Sequence, residues 1–488
     1  MASLNDAARG KMRTVNHEGH VAYRMDDALK LVTMALTSML GEPKFYGDNT
    51  DELIRLAERL CADGQGELVA KLAVWTRTKG NLRSVSHALV AVVAHVVKDQ
   101  EYVRKATHIV ASQRGDDGTE ILATYAALYG KPFPNALRRG VADALSGMSA
   151  YDIAKYQSGS REFKLRDTLR IAHPVPRDDE AAAAMSACIA GTLGKPKGWE
   201  TELSARGNTA EVWDELIAEG RLGYMAMLRN LRNMLSAGAN VEPVLTVLES
   251  PEAVHRSRQL PFRFYSAWRE LQSAHLCTTR VHKALDAALV ASCDNVDRLP
   301  GRTAVLIDTS GAMSSSVSER SAVTCRDIAA VLGALATYIS DDAWVCQFDT
   351  SASQLAFTGS SILADVRSVP FAGGGTDMEE GFACLMASGF DADRVIVISD
   401  NEVNGGFGRY GRWRGQLETV QCALDRYREK VGHDVWCHAI DLQGYGTQQF
   451  TGRQVNVIAG WSDQVLRFVS LAEGGFGGIL DEVMAVEL

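Results

Sequence analysis

Residues 303–314 read Thr303-Ala304-Val305-Leu306-Ile307-Asp308-Thr309-Ser310-Gly311-Ala312-Met313-Ser314, an apolar run that stops on a carboxylate and turns into a small, hydroxyl-bearing loop. Such a run, free of polar alternation and bounded by turn residues, is the pattern of a strand buried on both faces. Ala304–Ile307 is the first of a series that continues at Ala343–Phe348, Val395–Ser399, Val435–Ile440 and Val455–Ile458. Between these runs lie helix-like stretches, Ser321–Ser340, Glu379–Ala387 and Gln416–Lys430. Strand and helix in alternation predict a mainly parallel sheet with helices on both faces. In such sheets ligands bind beyond the carboxyl ends of the strands. Asp308, Asp349, Asp400 and Asp441 each stand at such an end.

Working back toward the N-terminus, the period changes. Before residue 293 the apolar spacing is helical, as in Leu53, Leu56, Ala57 and Leu60, in Leu228, Leu231 and Leu235, and in Val281, Leu285 and Leu289. Turn residues such as Gly47-Asp48-Asn49 and Gly115-Asp116-Asp117-Gly118 separate segments of helix length. No β-alternation is readable there and no repeat has a fixed period. A stack of helix pairs, each burying a face on the next, is the expected architecture. The polar stretch Cys293–Arg302 ends in Pro300-Gly301 and reads as a connector. The predicted division is a helical part over 1–293, a linker over 294–302 and an α/β domain over 303–488.

Composition is that of a globular chain: 488 residues, 46% hydrophobic and 23% charged. The longest apolar run, Ala88–Val97, is interrupted by His95 and falls short of the ~20 residues a membrane span requires. The first residues, MASLNDAARGKMR, contain no apolar core of a secretory signal. Nine cysteines without a C-x-x-C pair suit a reducing cytoplasm, which is the expected location, rather than a disulfide frame. Net charge is −9, but it is unevenly placed. Residues 301–488 hold 13 basic against 24 acidic residues, whereas residues 1–300 hold 38 against 36. Two such different surfaces predict two parts with different partners.

Three separated loops carry hard oxygen donors: Asp308 and Ser310, Thr376 within Gly373-Gly374-Gly375-Thr376-Asp377, and Asp400 within Ser399-Asp400-Asn401-Glu402. Carboxylates and hydroxyls over one sheet edge are the chemistry that Mg²⁺ selects. These loops resemble the von Willebrand factor A domain and its metal-ion-dependent adhesion site, built from Asp-x-Ser-x-Ser, a Thr from a glycine-rich loop and an Asp after a later strand. Asp308, Ser310, Thr376 and Asp400 match, while Ala312 stands where the second Ser belongs. The resemblance implies an A-domain fold with a degenerate site, where Mg²⁺ binds weakly or where water or Ser314 takes the missing place. Leu306–Ala312 also reads as an aspartic-protease motif, but that enzyme has an all-β body and a helix is expected here at Ser321–Ser340. Strand-end Asp and Ser also serve simply to cap the following helix.

The helical part has two basic clusters. Lys155–Arg177 carries Lys155, Arg161, Lys164, Arg166, Arg170 and Arg177 against Glu162 and Asp167, and Arg221–Lys283 holds nine basic residues against four acidic ones. Arg229 and Arg232, with Asn230 and Asn233, are expected on the polar face opposite the Leu228/Leu231/Leu235 stripe. Cations on such a face can track phosphates. From charge alone, a solvated helix face is the better account. No zinc knuckle or aromatic platform of the oligonucleotide-binding kind is readable.

The segment Phe163-Lys164-Leu165-Arg166-Asp167-Thr168-Leu169-Arg170-Ile171-Ala172-His173-Pro174-Val175-Pro176 resembles the core signature of the TROVE module of the Ro autoantigen family. Thr14-Val15-Asn16-His17-Glu18-Gly19, Asn81-Leu82-Arg83-Ser84-Val85-Ser86-His87 and Met227-Leu228-Arg229-Asn230-Leu231 agree in order, and an acidic A domain at the C-terminus completes that layout. The resemblance implies a closed ring of HEAT-like helical repeats with its ends held by the A domain. It implies a basic outer surface for a small structured Y RNA and a central hole for single-stranded ends of misfolded RNA. By position it carries RNA contact to Arg166, Arg170 and His173, with Arg229 and Asn230 in a second matching motif. Lys164 joins them by charge and proximity only. A helix-terminal role is as good an account of His173.

The expected function is a non-enzymatic RNA-binding scaffold for Y-like and misfolded structured RNA. It would support maturation or decay by an exoribonuclease such as polynucleotide phosphorylase, with neither membrane nor DNA as a partner. No P-loop and no Ser/His/Asp or Cys/His set is readable. The other reading is a protein-interaction module whose A domain holds a protein ligand through Mg²⁺.

Overall fold

The computed structural model describes residues 13–15, 21–24, 26–37, 48–98, 100–157, 163–196, 198–316, 323–370, 373–401, 403, 420–443, 447–459, 464–473 and 479–488. Asn16, His17, Glu18, Gly19, Gly47, Arg161, Glu162, Ser321, Glu402 and Gln416, used in the sequence reading, lie outside them. The described residues from 48 to 292 form helices, from Asp48–Leu60 to Thr279–Ser292, and no strand occurs among them. From Leu299 onward strands and helices alternate. The change of class thus falls where the period changes.

Local chemistry sets the ends of these elements. Helix Asp179–Ala190 begins at Asp178, whose carboxylate accepts the Ala181 amide at 2.8 Å, and ends at Gly191 in the left-handed region. Helix Cys325–Ile339 starts on a reciprocal cap, with Thr324 Oγ1 accepting the Asp327 amide and the Asp327 carboxylate accepting the Thr324 amide.

The main sheet runs β5-β4-β3-β6-β7-β9, from β3 (Leu299–Asp308), β4 (Ser340–Phe348), β5 (Ala352–Leu355), β6 (Arg394–Ser399), β7 (Trp436–Asp441) and β9 (Val455–Ala459). All neighbours are parallel except the edge pair β4 and β5. Every residue of β6 is buried, as a central strand covered on both faces must be. Helix Cys325–Ile339 lies so close to β3 that a Cβ at Gly333 would meet the Ile307 side chain at 2.5 Å.

Three expectations need correction. The connector 294–302 is not a free linker: Cys293–Asn295 is a 3₁₀ turn and β3 already begins at Leu299. The register shifts between Leu299 and Arg302, where Gly301 has φ +83°, so the Pro-Gly pair bends a strand rather than ending one. Second, the region before 293 is not wholly helical. β1 (Arg13–Val15) and β2 (Val21–Arg24) pair antiparallel, and β2 pairs with the two-residue β8 (Thr447–Gln448). Strands this short hold too few residues to show alternation. Third, compactness does not divide the chain at 293. One unit comprises residues 1–26 and 202–479, and the other residues 27–201 and 480–488. Within the first, Tyr265 Oη donates to Asp327 at 3.0 Å and Asp286 accepts the Leu363 amide at 3.2 Å, which joins the later helices to the α/β part.

Candidate nucleic-acid interface and metal centre

The order of the sheet puts β4 on one side of β3 and β6 on the other, so the chain reverses direction across the sheet at β3 and β6. At such a switch point the loops diverge and leave a crevice. Asp308 ends β3, and Asp400 follows Ser399 at the end of β6. Asp308, Ser310, Thr376 and Asp400 are all buried, none more than 3% exposed. The loops are tied together by backbone hydrogen bonds, from the Gly311 amide to the Gly374 carbonyl at 2.8 Å and from the Gly373 amide to the Thr309 carbonyl at 3.1 Å. A Cβ at Gly374 would meet the Asp349 carboxylate at 2.6 Å, so only glycine permits this approach.

Asp308 is the pivot. Its Oδ1 accepts the Ser310 amide at 2.8 Å and its Oδ2 accepts the Ser399 hydroxyl at 2.6 Å. Complete burial, opposed by those hydrogen bonds and assisted by the Asp349 charge, pushes its pKa up to about 6. Ser310 Oγ is buried beside the Asp308 carboxylate, so a hydroxyl and a carboxylate oxygen share this pocket of the loop. Ala312 is exposed and contributes only a methyl group, and Ser314, the possible replacement, turns its hydroxyl to the Gly311 carbonyl at 2.7 Å. The donor set therefore fits a hard divalent ion in type and falls short of the full pattern by one hydroxyl. Asp349 and Ser399 are partners that the ligand pattern alone passed over, although both stand at the strand ends where such groups gather.

The basic segment forms helix Leu165–Ala172. The Lys164 amide donates to the Asp167 carboxylate at 3.1 Å and starts it, while Leu165, Thr168 and Leu169 are buried. Arg166 and Arg170 are exposed, one turn apart on the opposite face. Arg166 has Asp167 at 3.8 Å, and Arg170 donates to the Ile189 carbonyl at 3.1 Å, which aims it without neutralising it. His173 is exposed at the helix end with φ +53°, its amide bonded to the Leu169 carbonyl. Lys164 is half-buried beside them.

The second basic cluster is different. Arg229 is exposed, but Asn230 is buried, donating to the Ala226 carbonyl at 2.9 Å and accepting from Asn233 at 3.2 Å. Asn230 therefore does not share a solvent face with Arg229 but lies on the buried side of the helix with Leu228, Leu231 and Met234. Much of that cluster's charge is also paired: Arg232 with Glu270, Arg280 with Glu249 and Glu242, and Arg221 with Glu219. Arg229 and Asn230 belong to one compact unit and residues 164–173 to the other.

The motif Asn81–His87 also resolves into structure. Arg77 and Arg83 each make two hydrogen bonds to the buried Asp117, at 2.7–2.9 Å, and His87 Nε2 lies 3.2 Å from Asp117 Oδ1. Burial would raise the Asp117 pKa, but hydrogen bonds from His87, Arg83 and Arg77 outweigh it and bring it down to about 2. An ionised carboxylate only accepts, so Nε2 of His87 carries the proton. Burial lowers the pKa of this histidine and keeps it neutral.

Residues 185–280 match the sequence model of the TROVE domain. Telomerase protein component 1 of Rattus norvegicus and that of Mus musculus are each 53% identical over 78 residues, 15% of this chain and only 3% of those proteins. The crystal structure of the Deinococcus radiodurans Ro (RSR) protein is similar with a TM-score of 0.62 and 20% identity, over 92% of this chain and 100% of that one. A likeness at that identity speaks for the fold, whereas the match over 185–280 speaks for the domain. Residues 185–280 thus resemble a TROVE domain, and the fold of the chain is like that of the Deinococcus radiodurans Ro (RSR) protein.

Proposed function

We propose that the chain is a cytoplasmic RNA-binding scaffold with no reaction of its own. Proteins of the TROVE and Ro type bind non-coding RNA, which supports RNA as the general partner. The finer reading is that Y-like structured RNA lies across the face bearing Arg166, Arg170 and His173. Misfolded RNA would be held for maturation or decay by an exoribonuclease of the polynucleotide phosphorylase kind. The observation that carries it is the pair of exposed guanidinium groups one turn apart on a helix anchored by its other face. Guanidinium forks at that spacing can hold consecutive phosphates. The test is a salt titration of hairpin-RNA binding by the full chain and by its Arg166/Arg170/His173 triple-Ala variant. Weaker binding and a flatter salt slope in a normally melting variant are expected. Unchanged affinity and slope would remove this face from the function.

A divalent cation belongs to the same proposal at lower occupancy. Asp308, Ser310, Thr376 and Asp400 would hold Mg²⁺, which when bound supplies an electrophilic point for an acidic ligand. The burial of Asp308, Ser310, Thr376 and Asp400 on loops over one sheet edge favours this reading, and the methyl of Ala312 keeps the binding weak.

A further inference from the structure

Five aromatic side chains from three separated stretches of sequence form a continuous row of ring contacts within the helical unit. His95, near the end of helix Ser84–Val96, stacks flat on Tyr129, with centroids 3.9 Å apart and planes 3° apart. Tyr129, the last residue of helix Asp117–Tyr129, meets Tyr125 at 5.4 Å. Tyr125 meets Phe133 at 5.7 Å, and Phe133 meets Phe163 at 6.4 Å, edge to face. Phe163 directly precedes Lys164 and the basic helix Leu165–Ala172.

Of the five, only Tyr125 is buried. His95 is exposed, and Tyr129, Phe133 and Phe163 are half-buried, so none of these four is sealed in the core. The rings are also held in place before any ligand arrives: the Tyr129 hydroxyl donates to Glu58 at 2.7 Å, and His95 Nδ1 lies 3.4 Å from the Tyr125 hydroxyl. Exposed Lys98 and Lys131 and half-buried Lys164 flank the row by sequence.

We infer that His95, Tyr129, Phe133 and Phe163 form a stacking track for the bases of single-stranded RNA, leading onto the Arg166/Arg170 face. The inference rests on the RNA-binding reading and adds the residues that would meet an unpaired segment and the chemistry by which they recognise it. Rings with flat faces accept any base, and flanking lysines follow the phosphates. Sequence-tolerant binding of an unpaired segment beside a phosphate-reading helix is the resulting behaviour.

The experiment uses the full chain and two fluorescent probes, an oligoadenylate of about eight nucleotides and the same backbone carrying abasic riboses. The adenylate should bind about tenfold tighter than the abasic strand, the scale of stacking on one or two rings. His95→Ala and Phe163→Leu should each remove several-fold of that preference and leave hairpin-RNA affinity unchanged. His95 is exposed, so its variant reports on stacking even where Phe163→Leu disturbs the fold. Equal binding of the two probes, or full preference retained in a normally melting His95→Ala protein, overturns the track. Hairpin binding that persists in that case leaves the basic face standing. A preference for adenylate that survives the Arg166/Arg170/His173 triple-Ala change, with hairpin binding unaltered, supports the track and removes the basic face. Absence of binding to every RNA overturns both.

Discussion

Asp308 and Asp117 are both fully buried carboxylates, yet their surroundings drive them in opposite directions. Asp117 faces two guanidinium groups and an imidazole and stays ionised down to about pH 2. Its folded pKa lies below the unfolded value of 3.8, so its contribution to stability is present above that value and is lost as pH falls through about 2. Asp117→Ala strands Arg77 and Arg83, and a loss of about 3–5 kcal/mol in a denaturant melt is expected. Asp308 has no cation, and its raised pKa reverses the sign. Its stabilising contribution is complete below the unfolded value of 3.8 and lost as pH rises through about 6. Mg²⁺ should therefore raise the melting temperature at pH 7.5 more than at pH 5, and Asp308→Asn should abolish that difference. Ala312→Ser should tighten Mg²⁺ binding from a millimolar starting point, as read by calorimetry. Tight binding by the unaltered protein, with no gain on that change, would sink the degenerate-site reading. The protease reading has its own check, since pepstatin-sensitive cleavage lost in Asp308→Asn would restore it.

At the scale of elements, helix Leu165–Ala172 divides its two faces between packing and charge. Because Leu165 and Leu169 anchor it, replacing Arg170 should leave melting within about 0.5 kcal/mol of the parent, the usual effect of a surface change. The same Arg170→Ala change should weaken hairpin-RNA binding by about 1–3 kcal/mol and flatten the salt slope by about one unit. The helix was legible because its apolar and basic positions both follow a period near 3.6. The burial of Asn230 was not legible, since periodicity places a residue on a face only to within a neighbour's width. Pairing of Arg232 and Arg280 was equally hidden, because Glu270, Glu242 and Glu249 arrive from other helices.

At the scale of the molecule, residues 480–488 pack with residues 27–201, almost the full chain length away. Lys71 donates to the Met484 carbonyl at 2.9 Å and Lys105 to the Leu488 carbonyl at 3.1 Å, while Leu480 and Val483 are buried. Removing residues 480–488 should cost the helical unit about 3–6 kcal/mol, the scale of two buried aliphatic side chains. Hydrogen exchange should quicken in Gly66–Thr78 and Glu101–Ala111 in particular. Unchanged protection there would show that the tail contributes nothing to that unit.

The sequence by itself determined the two classes of secondary structure from residue 48 onward, the stretch in which one yields to the other, and the strand-end carboxylates. Each of these is written in local period and in the residues that end an element, which act within a few positions of one another. Tertiary structure alone decided that residues 202–292 join the α/β part and that the aromatic rings of 95, 125, 129, 133 and 163 form one row. It also decided that Ser399 bonds to Asp308 and that Arg77 and Arg83 converge on Asp117. These contacts join positions that are mostly tens of residues apart, and only the packing of whole elements brings such positions together. A sequence states what each element presents, and the close fit of one element against another selects which of those groups meet.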